Sequence, residues 1–147
     1  MRRSLLLAVP LLFVAVAGEA QAQDWRPPSS QMPMMPRSSE IRGDDWLGSR
    51  SEWFRGLDRV AGVAASGLRA SGEPRGGSEF VQVARFTSGP LPVVVWSDRN
   101  GDNRADIIEI FRGGSVVVQL IDADYDGNAN VIRTYDASGE LINQERF

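Results

Sequence analysis

Two stretches of this chain, "DRNGDNRADIIE" (98–109) and "DADYDGNANVIR" (122–133), are near copies 24 residues apart. Superposing Asp98 on Asp122 pairs Asn100 with Asp124, Asp102 with Asp126, Ala105 with Ala129 and Asp106 with Asn130, and Ile107-Ile108 with Val131-Ile132. Phe111 then meets Tyr135, and one gap brings Gly114 onto Gly139. Each unit, 98–121 and 122–147, therefore reads as an acidic loop, a strand, a tight turn and a return strand. Units of this length cannot bury an apolar face alone and must stack on a neighbour.

The strands follow from alternation and turn chemistry. Phe80 to Phe86 alternates, "TSGP" turns the chain, and Leu91 to Trp96 is a short β-branched run. Asp106 to Phe111 and Val116 to Ile121 flank "RGGS", while Asn130 to Tyr135 and Glu140 to Glu145 flank "DASG". The expected fold is mainly β, a small antiparallel meander of about six strands over 80–147 with acidic loops between hairpins. One amphipathic helix precedes it. Over 44–70, Trp46, Leu47, Trp53, Phe54, Leu57, Val60, Ala61, Ala64 and Leu68 recur at three- and four-residue steps, and Asp44 and Asp45 can cap the start. Gly48, Gly56, Gly62 and Gly67 weaken that helix, so it needs a surface to pack on.

The rest of the chain reads as targeting and tether. Arg2 and Arg3, the apolar run Leu5 to Ala17 and Ala20-Gln21-Ala22 make residues 1–22 a secretory signal peptide, too short to span a membrane. Cys is absent, so no lipid anchor follows it. Residues 23–43 carry four prolines with Ser, Gln and three Met, which predicts a flexible linker. The single domain is then 44–147, in a periplasmic or secreted protein without a transmembrane segment after cleavage.

Absences narrow the chemistry. Without Cys there is no thiolate site, and without His no zinc imidazole and no Ser-His-Asp triad. All basic residues are Arg, which removes Schiff-base and P-loop lysines. From Asp98 onward ten acidic residues face five Arg. That balance repels phosphate, so nucleic acid is not an expected partner, and it suits a divalent cation. No catalytic residue is assigned and an enzyme is not expected; a carboxylate-based hydrolase, with one acid and one base, is the lesser alternative.

In the first acidic loop Asp98, Asn100 and Asp102 stand at positions 1, 3 and 5, the Arg104 backbone carbonyl at 7, Asp106 at 9 and Glu109 at 12. Oxygens in that pattern wrap calcium, with position 6 needing tolerance of positive φ, met by Asn103 and by Gly127 in the second loop. The pattern resembles the DxDxDG calcium loops of EF-hand proteins, dockerins and other extracellular repeat families, over residues 98–147. The resemblance implies calcium as the cofactor and little or no catalysis. Two features depart from it: the flanks read as strands, and the second loop, with Asp122, Asp124, Asp126, the Asn128 carbonyl and Asn130, carries Arg133 at position 12. Asp-Gly and Asn-Gly also form turns without metal. The expectation is a calcium-binding β-domain in which the ion stiffens the loops, set against a metal-free cell-envelope scaffold. The stiffened face has a glycan, an envelope protein or nothing as its partner.

Overall fold

The computed structural model describes residues 22–41 and 51–147. Among these residues seven strands form one sheet in sequential order, every neighbouring pair antiparallel: β1 (Arg69–Pro74), β2 (Val81–Ser88), β3 (Leu91–Ser97), β4 (Ile107–Arg112), β5 (Ser115–Ile121), β6 (Val131–Tyr135) and β7 (Leu141–Arg146). The six expected strands are present as β2 to β7. The seventh, β1, lies in "RASGEP", where Gly and Pro depress strand propensity. It persists because it is an edge strand whose register breaks at Glu73/Pro74, where the missing proline donor costs least.

Alternation divides the sheet into two faces. Ala84, Phe86, Val94, Trp96, Ile108, Ile110, Val118, Leu120 and Ile132 are buried on one. The other carries a transverse row of Arg85, Val95, Glu109, Gln119, Arg133 and Gln144, neighbours by register. Phe54 stacks on Trp96 at 6.1 Å and meets Phe86 edge-on at 5.0 Å, and Trp53 meets Trp96 edge-on at 6.2 Å. Such pairs add to the area that these rings bury.

The expected helix over 44–70 is not continuous. Residues 44–50, with Trp46 and Leu47, lie outside the described residues. From Ser51 the chain makes a 3-10 turn (Ser51–Phe54), a short helix α1 (Leu57–Ala61) and a second 3-10 turn (Ala65–Gly67), then enters β1. Gly56 and Gly62 bracket α1 at φ 75 and φ 74, left-handed values that end helices. Trp53, Phe54, Leu57, Val60, Ala61 and Leu68 are nonetheless buried while Ala64 is exposed, so the spacing marked most of the apolar face and the continuity was wrong.

The expected leader lies outside the described residues except for Ala22, which is buried. The linker expectation is corrected over 23–41. That segment is a strap across the loop end of the sheet, with Trp25, Met32, Met35 and Ile41 in the core. It bridges Asn128 at Gln31, Arg104 at Met34 and Phe80 at Arg37. The partners 80, 104 and 128 are evenly spaced, so the strap advances three residues for each loop it crosses. Buried thioethers and saturated backbone bonds hold it, which its Pro-rich composition did not signal. Among the described residues no helix is long and apolar enough to cross a membrane.

Candidate metal centre

Both acidic loops lie at the same end of the sheet, where β3 passes to β4 and β5 passes to β6. Asp98, Asp106 and Asp122 continue the core-facing alternation of Trp96, Ile108 and Leu120 by one step, which explains why all three are buried. The Asp122 N–H donates to the Asp106 carbonyl at 2.8 Å, extending the β4–β5 register and setting two buried carboxylates opposite each other. Like charges in that position destabilise a sheet unless something compensates them.

Within the first loop, carboxylate oxygens of Asp98, Asp102 and Asp106 lie within 4.8 Å of one another, and in the second those of Asp122, Asp124 and Asp126 do so. Oxygens bound to one calcium at 2.3–2.6 Å are at most about 5 Å apart, so both triplets match the separation that a shared ion requires. The loop backbone curls around the acids. Gly101 N–H donates to Asp98 Oδ1 at 2.7 Å and Asn103 N–H to Asp98 Oδ2 at 3.0 Å. The Arg99 and Asn100 amides both donate to Asp106 Oδ2. Asn100 Oδ1 accepts from Asp102 N–H, and Asp102 Oδ1 accepts from Arg104 N–H. The second loop repeats the scheme: Gly127 N–H to Asp122 Oδ2, Asn128 N–H to Asp126 Oδ1 and Ala123 N–H to Asn130 Oδ1.

Each carboxylate oxygen has two lone pairs, so one N–H contact leaves capacity for a cation. Two oxygens go further. Asp106 Oδ1 and Asp122 Oδ1 are buried without any hydrogen-bond partner. An orphaned carboxylate oxygen costs more than an orphaned neutral acceptor, and one appears in each loop among the converging acids. A hard cation fits such a donor set, because only oxygen ligands are available.

The strap bridge at Met34 leaves the Arg104 N–H and carbonyl turned away from the strap, toward the loop. Asn128 stands in the same relation to Gln31. Glu109 is not among the converging acids. It sits mid-strand in β4 opposite Val95 and Gln119, on the open face. After Asp106 the chain runs straight into a strand instead of curling onward, so position 12 is carried away from the loop. Arg133 occupies the corresponding place in β6. Sequence reasoning missed Arg75. Its Nη2 donates to the Asp98 carbonyl at 2.9 Å and lies 3.6 Å from Asp98 Oδ2, which partly offsets the first cluster's charge.

Burial pushes the Asp106 carboxyl above its ordinary value, helped by the charges of Asp102 and Asp98 and opposed by the Arg99 and Asn100 amides. Burial likewise raises Asp122, with the Asp124 side chain and the Asp126 charge adding to it against the Gly127 and Asp126 amides. Asp136, in the β6–β7 turn, is lowered by the Ser138 hydroxyl and the Glu140 amide. A raised carboxyl holds its proton more tightly in the fold than in the unfolded chain, so metal-free stability falls as pH rises from about 3.9 through the raised values. Asp136 acts in the other window, its contribution lost only as pH falls below the ordinary value. Thermal melts in chelator should therefore show this contribution to Tm growing as the pH is lowered through the raised values toward the ordinary carboxylate value of about 3.9. With calcium the trend should reverse, because the ion displaces those protons and binds better at higher pH.

Comparison of the chain with known protein families, with curated proteins and with solved structures returns no match. The functional reading therefore rests on the geometry of these loops.

Proposed function

We propose that this is a secreted or periplasmic calcium-binding β-domain in which the ion stiffens the loops joining its strands, in a structural or interaction role without catalysis. The observation that carries the reading is the convergence of Asp98, Asp102 and Asp106 within 4.8 Å, with a buried, unpartnered oxygen on Asp106. The first loop is the stronger site because two of its three acids are buried, against one in the second. Extracellular calcium modules of this kind bind at ~10⁻⁴–10⁻³ M. Isothermal titration of calcium and magnesium into chelator-stripped protein tests the proposal, and heat from neither ion would overturn it.

The rival reading, loops that are metal-free turns in an envelope scaffold, draws on the amides that already satisfy half of the loop carboxylate oxygens. Asp106→Asn separates the two. Asn130 shows that an amide fits this place, since its Oδ1 accepts from Ala123 as Asp106 Oδ2 accepts from Arg99. In chelator the variant should gain about 1 kcal/mol in chemical denaturation, by removing a buried like charge. It should also lose tenfold or more in calcium affinity at the first loop. Glu109→Gln, on the open face, should leave that affinity within about twofold. Loops that are turns alone would give the stability gain with no calcium effect to lose.

A further inference from the structure

Between the two acidic loops a recess of about 330 Å³ opens toward the exposed face of the sheet. Ile107 and Ile121 supply apolar lining, Arg99, Arg133 and Gln119 the polar groups, and Tyr125 an aromatic ring. Asp106 and Asp122, one from each proposed cation site, also line it.

Several observations mark the recess as more than a gap between loops. Among the described residues neither Arg99 nor Arg133 is ion-paired. Arg133 gives its Nε–H to Gln144 Oε1 at 2.8 Å, which fixes the guanidinium plane and leaves its terminal amino groups to serve a ligand. Gln119 Oε1 accepts the Tyr135 hydroxyl at 2.9 Å, so the Gln119 amide nitrogen remains a donor. Tyr125 is 47% exposed and holds φ 60. A bulky residue in the left-handed region is uncommon and costs energy, and such strain gathers at ligand sites.

We infer that this recess binds a carboxylated sugar, a hexuronate unit of an acidic polysaccharide, and does so only when the neighbouring loops hold calcium. Guanidinium groups recognise a planar carboxylate through paired N–H bonds. The apolar floor and the tyrosine ring suit the C–H face of a pyranose, while Gln119 can donate to a hydroxyl. Charge supplies the dependence on calcium. Without cations, Asp106 and Asp122 at the recess, with the four aspartates clustered on them (98, 102, 124 and 126), repel an anion. Two calcium ions cancel four of those charges, and the two arginines offset the rest.

The inference rests on the calcium reading, so the two are measured separately. Calcium is first titrated into the protein alone. Trigalacturonate, and maltotriose as the neutral control, are then titrated in calcium and in chelator. The expected result is trigalacturonate binding in calcium only, no maltotriose binding, and a tenfold or greater loss of trigalacturonate affinity in an Arg99→Gln/Arg133→Gln variant that binds calcium at least as tightly as the parent, since removing the two positive charges favours the cation. Calcium binding without trigalacturonate binding overturns this inference alone, as do equal binding of maltotriose and an unaffected double variant. Absence of calcium binding overturns the parent reading, and trigalacturonate binding in chelator overturns the dependence on the ion.

Discussion

Adding about 10 mM calcium to chelator-treated protein should raise Tm by roughly 10 °C for a first loop that binds at ~10⁻⁴ M and by less for the weaker second, and excess chelator should reverse the shift. The size follows from mass action. A site held at one hundred times its dissociation constant stabilises the fold by ~2.7 kcal/mol. The loops give this energy somewhere to act: two buried aspartates face each other across β4 and β5, each with an unpartnered oxygen. In the metal-free protein that arrangement opposes folding, and the ion removes the opposition while joining the strand ends that carry it. Magnesium should shift Tm less, because it demands near-octahedral geometry and gives up its waters reluctantly, whereas calcium accepts an irregular shell. A melting curve indifferent to calcium across this range would leave the acidic loops as turns.

Much of this site could be read from the chain, because the information is local. Asp98, Asn100, Asp102 and Asp106 stand on alternate or nearly alternate positions of one tight loop, and Asn103 takes the positive φ (69) expected at position 6. Gly127, at φ 90, does the same in the second loop. Glu109 stands apart from the cluster for a reason already contained in the strand pattern of Asp106 to Phe111: position 12 closes a loop that leads into a helix, and here a strand carries it away. Arg75 precedes Asp98 by 23 residues and nothing in its own neighbourhood announces the contact. The fold divides in the same way. Six strands announced themselves through alternation and their turns, but β1 depends on partners. Gly72 lies so close to β2 that a Cβ there would come within 2.6 Å of Val81 Cγ1, which makes it a packing residue in a segment whose Gly and Pro disfavour a strand. The left-handed Gly56 and Gly62 broke a helix whose apolar spacing was sound.

The strap was the least legible element and provides the sharpest test of how fold and site are joined. Met35→Ala should cost about 2–5 kcal/mol in chemical denaturation, the range for truncating a buried aliphatic side chain, because Met35 is 1% exposed in the core. A flexible tether would tolerate the change within about 0.5 kcal/mol. The same variant should weaken calcium binding several-fold at temperatures where the sheet remains folded. The Met35 N–H donates to the Asn103 carbonyl at 2.8 Å and the Met32 N–H to the Gly127 carbonyl at 2.9 Å. Those acceptors are the positive-φ residues on which each acidic loop turns. In return the N–H groups of Ala105 and Ala129, just before Asp106 and Asn130, donate to the Pro33 and Ser30 carbonyls. A docked strap thus holds both loops in the curl that gathers their carboxylates. When it detaches for part of the time, only the remaining fraction of molecules presents a formed site, and the apparent dissociation constant rises in inverse proportion. Met34→Ala, at the bridge between the two buried methionines, keeps the backbone bonds and both buried thioethers, so it should change affinity far less. Equal losses from Met34→Ala and Met35→Ala would place the effect outside strap docking.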